Sequence, residues 1–144
     1  MIATETASNA ASSPTRAQTI AILAAGAIVA ILANLAIATV AHTAGARADF
    51  TPLQLVVYAP FTLVGLIAAY LGWRIVRRRA RHPAAALRIL VPLLTVLSFA
   101  PDTILAITGF IPGASLAAVV ALALMHLVVV AVAVPSCARL APVG

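Results

Sequence analysis

The fold class this sequence predicts is all-α, a polytopic transmembrane four-helix bundle, and three observations predict it. First, 64% of the 144 residues are hydrophobic and only 8% are charged, with a mean hydropathy of +1.15. That balance lies outside the range of soluble globular chains, which need a charged coat to stay dissolved. Second, four apolar stretches, near residues 19–41, 53–76, 85–107 and 115–134, stand between polar connections. Each has about the 20 residues that a helix needs to cross roughly 30 Å of hydrocarbon. Third, the arginines are sorted unevenly among the connections, as they are in multi-pass proteins. The expected organisation is a disordered cytoplasmic tail over residues 1–18, a transmembrane domain over 19–135 and a short cytoplasmic tail over 136–144.

The tail is assigned because Met1 to Ala17 is rich in Ala, Ser and Thr, contains Pro14 and shows no apolar period. The first span, Thr19 to Ala41, contains no charged residue. Ala44-Gly45-Ala46 after it resembles a signal-peptide cleavage site. The apolar region of such a peptide is usually only about 7–15 residues, so an uncleaved span is expected. The connection from His42 to Pro52 carries Arg47 and Asp49, which nearly cancel. In the second span Tyr58 lies near one end, and Tyr70 and Trp73 near the other, where amphipathic rings suit the headgroup boundary. Pro60 removes one backbone donor and predicts a modest kink. The third stretch is interrupted by Pro101-Asp102. Gly109-Phe110-Ile111-Pro112-Gly113 forms a compact turn that makes the third and fourth spans antiparallel neighbours, and the fourth ends at Pro135.

All nine basic residues are Arg. If the first span leaves the cytoplasm, Arg16, Arg74, Arg77, Arg78, Arg79, Arg81, Arg88 and Arg139 fall inside, and Arg47 alone falls outside. The positive-inside rule therefore predicts cytoplasmic N- and C-termini. Arg usage without Lys, together with abundant Ala, suits a GC-rich bacterial genome and hence the bacterial inner membrane. The net charge of +6 does not imply nucleic acid, whose binders spread basic groups over a folded surface. Here six arginines, Arg74, Arg77, Arg78, Arg79, Arg81 and Arg88, crowd one connection, which makes them candidate contacts for anionic lipid headgroups. The single Cys137 excludes an intrachain disulfide and any multi-cysteine metal site.

Small and polar residues mark helix faces that pack on other helices. They recur at spacings of three and four as Gly26, Ala30, Asn34 and Ala38 in the first span, and as Tyr58, Thr62, Gly65, Ala69 and Gly72 in the second. The third span has Thr95, Ser98, Asp102, Ala106 and Gly109, and the fourth a sparser set of Ser115, Ala123, His126 and Ala133. These faces predict a closed bundle. Counting rise per residue puts Tyr58, Asn34 and Asp102 roughly 8–10 Å below the outer boundary and His126 about 15 Å below it. Asn34, Tyr58, Thr62, Asp102 and His126 are therefore the candidate intramembrane polar layer. Three settings suit Asp102: the first turn of a short outer helix near the interface, where carboxylates favour the amide dipoles; a buried structural pair with His126; or a proton- or substrate-handling site. One imidazole without a second ligand makes no metal site. With no phosphate-binding glycine loop, no H-E-x-x-H and no nucleophile with a matched base, neither a cofactor nor an enzyme is expected.

The run Leu122-Ala123-Leu124-Met125-His126-Leu127-Val128-Val129-Val130, closing on Val134-Pro135, resembles the last helix of an uncharacterised actinobacterial family of small membrane proteins, the domain of unknown function 6069. Leu97-Ser98-Phe99-Ala100-Pro101-Asp102 resembles the end of that family's third helix. The resemblance covers about Thr19 to Leu140 and implies four helices, with no function to transfer. From the residues themselves, two functional classes are expected. The first is a non-catalytic membrane protein packing with itself, as a homo-oligomer, or with a membrane partner. The alternative is a small carrier or channel using the polar layer around Asp102 and His126. The first is favoured because four helices leave little room for alternating access, and transporters usually show paired repeats with broken helices.

Overall fold

The computed structural model of the chain describes residues 14–143. Five α-helices build four spans: α1 (Arg16–Thr43), α2 (Leu55–Arg79), α3 (Pro83–Ser98), α4 (Ala100–Thr108) and α5 (Leu116–Leu140). α3 and α4 follow one another as a single 26-residue span, so the described residues hold four helical segments long and apolar enough to cross a membrane.

The helix ends follow from local chemistry. α1 begins in a capping box, in which the Thr15 hydroxyl accepts from the Gln18 amide and the Gln18 side chain accepts from the Thr15 amide. It ends in a Schellman motif: Gly45, at φ 98°, donates to His42 O, and Ala46 donates back to Ala41 O. A short 3-10 turn, Thr51–Leu53, leads into α2 and buries Phe50 and Leu53. Arg77, Arg78 and Arg79 occupy the last turn of α2, where cations complement the exposed carbonyls. α4 ends on Gly109 at φ 59°, the left-handed conformation that glycine adopts without strain, and Ser115 caps α5.

Several boundaries differ from the sequence expectation. α1 starts at Arg16, so Arg16 to Gln18 of the expected 1–18 tail are helical, while residues 1–13 lie outside the described residues. The short tail expected over 136–144 is mostly helix, because α5 continues through Pro135 to Leu140. Proline deletes one backbone donor without deleting the turns on either side. Here the Ser136 hydroxyl additionally donates to Val132 O, and Cys137 and Leu140 are buried beyond it. The third span breaks at Phe99, two residues ahead of where Pro101-Asp102 suggested, because Pro101 and Asp102 are the opening residues of α4.

α5 is the hub. Its most extensive interface is with α1, followed by α2, and it also touches α3 and α4. Alanines make the α1–α5 contact close, with Ala27, Ala30, Ala38 and Ala41 buried opposite Ala118, Ala121 and Ala133. A Cβ at Gly26 would stand 3.1 Å from Val132 Cγ1, and one at Gly65 would stand 3.2 Å from Val129 Cγ1. Side-chain size thus sets how closely α1 and α2 approach α5, as in membrane bundles generally. The outer surfaces carry Ile28, Leu32, Phe61, Ile67, Ile89 and Val96, all exposed. Only 11–22% of each span is buried inside the protein, so the apolar surface faces outward, as lipid requires and water forbids.

The bundle is not closed as expected. α1 and α3 each pack against both α2 and α5, and α3 contributes a single buried residue, Leu87. The thin attachment of α3 leaves a cleft between α2, α3 and α5.

Candidate functional site: an intramembrane polar layer

Asn34, Thr62 and Tyr58 meet where α1 crosses α2. Asn34 and Thr62 are 1% and 3% exposed, and Asn34 Nδ2 donates to Thr62 Oγ1 at 3.0 Å. Thr62 Oγ1 in turn donates to Tyr58 O at 2.9 Å. A hydroxyl has one proton to give, so Thr62 Oγ1 can only accept from Asn34. This fixes the Asn34 amide orientation and leaves Oδ1 facing away from Thr62 with no partner. The Tyr58 hydroxyl is likewise buried and unpartnered.

Asp102 and His126 meet where α4 packs on α5. His126 Nδ1 lies 2.9 Å from Leu122 O and 3.2 Å from Asp102 Oδ2. A carbonyl cannot donate, so Nδ1 carries the proton and points it along its own helix at Leu122 O. The contact with Asp102 is therefore electrostatic rather than a formed hydrogen bond, and Asp102 Oδ2 remains a buried atom without one. Phe99, at the break between α3 and α4, meets the imidazole edge-on at a centroid distance of 6.2 Å. Asp102 stands in the first turn of a short helix and is buried beside His126.

Asn34, Tyr58, Thr62 and His126 line one cavity of about 650 Å³ within the cleft. Asp102 stands behind His126 and is not among the lining residues. The polar floor is completed by Thr51 and Ser98, and the walls include Met125 and Val129. Phe61, Val64 and Leu94 also line it and are themselves exposed, so the cavity opens sideways toward lipid. A second cavity, of about 310 Å³, is lined by Trp73 and shares Leu94 and Val130 with the first.

The chain belongs to the family of unknown function DUF6069. The family matches residues 14–142, a stretch that contains every residue of the layer. No curated protein and no solved structure matches the chain. In this DUF6069 chain the small-residue stripes are partly displaced from their expected faces. Gly72, Ala106 and Gly109 are exposed, and α5 buries Ala118, Ala121, Met125 and Cys137 in addition to the expected Ala133. The cause is the central position of α5, which presents more than one face to neighbours. Met125 was missed because an unbranched apolar residue carries no sequence mark that separates a cavity wall from a lipid-facing surface.

The other candidate group lies at the far end of the molecule. Arg77, Arg78, Arg79, Arg81 and Arg88 are exposed, and Arg74 lies over the Tyr70 ring at 5.6 Å. Among the described residues the ion pairs are Asp102 with His126 and Arg47 with Asp49, so these six arginines face no carboxylate. In the opposite connection the hydrogen bonds from Arg47 hold the Asp49 carboxyl below its ordinary range. Trp73 Nε1 donates to Ala141 O at 2.9 Å and ties the end of α5 to α2 beside the arginine-rich connection. Among the described residues no three His, Cys, Asp or Glu side chains gather as metal ligands would.

Proposed function

We propose that this is a non-catalytic, multi-pass protein of the bacterial inner membrane, with both termini cytoplasmic, that binds a small membrane-soluble molecule at its polar layer. The observation carrying this reading is that, among the described residues, Asn34 Oδ1, Tyr58 OH and Asp102 Oδ2 are all buried without hydrogen-bond partners, two of them on side chains that line the 650 Å³ cavity. An unsatisfied buried polar atom costs about 1–3 kcal/mol, and no bulk water reaches hydrocarbon to relieve it. A cavity of this size lies in the range of roughly 300–1,000 Å³ typical of small-molecule sites, which combine apolar walls with a few convergent polar groups. The arginine distribution supports the orientation, and arginines that pair with no carboxylate among the described residues support contact with anionic lipid.

The layer thus favours the ligand-handling class over a chain that serves only by packing with itself or a partner, which would leave Asn34 Oδ1 and the Tyr58 hydroxyl unsatisfied. Water filling the cavity is the competing way to satisfy them. Mass spectrometry of organic extracts from the protein, purified in mild detergent, separates the two. The wild type is expected to retain a stoichiometric small molecule that Asn34→Leu loses. Identical extracts from both would sink the ligand reading.

A further inference from the structure

From the proton inventory of the cavity we infer the ligand class, resting on the ligand reading above: an uncharged single-chain amphiphile with a hydroxyl head group. Asn34 Oδ1 can only accept. The Tyr58 hydroxyl can donate one proton and accept another. The layer therefore needs one group that both gives and takes a hydrogen bond, which a hydroxyl does. No arginine lines either cavity, so nothing there compensates a phosphate or carboxylate. Asp102, the one carboxylate among the spans, already faces His126 and does not line the cavity, so nothing there holds an ammonium.

The tail follows from the second cavity. Its walls, including Ala69, Leu87, Val91 and Val134, are apolar, and it shares Leu94 and Val130 with the first and reaches Trp73. From Thr62 to Trp73 along α2 is about 17 Å. A head group at Asn34 and Tyr58 thus directs a single chain down the cleft, with lateral entry past the exposed Phe61 and Val64.

Trp73 is the only tryptophan and lines the deeper cavity, which makes it the reporter. The full chain in nanodiscs is titrated with palmityl alcohol brominated at its tail, and with the matching brominated alkane, palmitate and palmitylamine. The alcohol is expected to quench Trp73 saturably, with affinity about tenfold weaker in Asn34→Leu and in Tyr58→Phe. Tyr58→Phe deletes one unpartnered oxygen, so it keeps the fold and guards against Asn34→Leu simply misfolding. Equal quenching in wild type and both variants overturns the inference. Saturable binding of palmitate or palmitylamine at least as tight as the alcohol overturns the ligand class and leaves the ligand reading standing. Linear, non-saturating quenching by all four probes overturns both.

Discussion

Replacing Asp102 and His126 singly and together tests whether their 3.2 Å contact couples α4 to α5. His126→Phe keeps a ring beside Phe99 but removes the only ionisable group against the Asp102 carboxyl, which is 7% exposed. A carboxylate stranded near the bilayer centre costs up to about 2.5–3.5 kcal/mol on the insertion scale. Asp102→Asn removes the charge together with the cost of burying it, and is expected to leave stability nearly unchanged or to raise it. The cost of His126→Phe should then shrink in the Asp102→Asn background, and the difference between the two costs is the coupling. Because the Nδ1 proton points at Leu122 O and no hydrogen bond joins the pair, a neutral pair should couple by no more than about 0.6 kcal/mol, the mean for intramembrane hydrogen bonds. A value beyond about 1.7 kcal/mol would mark a charged pair. The assay is equilibrium denaturation of all four proteins in one detergent, repeated in lipid. Effects that add to within about 0.3 kcal/mol would refute the coupling and leave the contact as proximity alone.

Three further outcomes follow from the geometry. Reporter fusions at Gly144 and within the Arg77 to Arg81 connection are expected to read cytoplasmic and one at Ala46 external; a cytoplasmic signal at Ala46 would reverse the topology. Changing Arg77, Arg78 and Arg79 together to Gln should weaken retention of anionic lipid by about 1 kcal/mol per arginine, measured by vesicle competition, and unaltered retention would remove the headgroup role. Gly26→Leu should cost about 1–3 kcal/mol of thermal stability by wedging α1 from α5, since even a Cβ there meets Val132 at 3.1 Å; a stability equal to wild type would show that the interface yields.

The spans were legible because hydrocarbon thickness demands a long apolar helix, and no local feature can counterfeit one. The polar side chains were conspicuous for a related reason: Asn34, Tyr58, Thr62, Asp102 and His126 stand inside apolar runs, and four of them line one cavity with Asp102 behind His126. What failed was whatever depended on azimuth. Ala106 and Gly109 continue their stripe on paper yet are exposed, and Gly72 is exposed where it lines the second cavity, because each stripe is buried only where a neighbour crosses it. Pro135 looked like a terminus and is an interior residue, because a helix end depends on what the next turn packs against, and Cys137 and Leu140 are buried. The cavity was beyond reach. It exists because α3 packs loosely against α2 and α5, and no residue in α3 announces how far it will stand off.

The break in the third span and the polar layer have a common origin. A continuous helix from Pro83 to Thr108 would leave Asp102 with no free backbone amides to offset its charge. Ending α3 at Ser98 and restarting at Ala100 puts Asp102 in a first turn, where unpaired amides and the positive end of the helix dipole favour a carboxylate. The same break leaves Phe99 edge-on against the His126 ring. α4 then packs on α5 independently of α3, so the carboxylate can stay fixed while α3 stands away from the cleft. Two short helices accomplish what one long helix would not: one end of the span anchors the Asp102–His126 contact, and the other leaves the cavity open to the membrane.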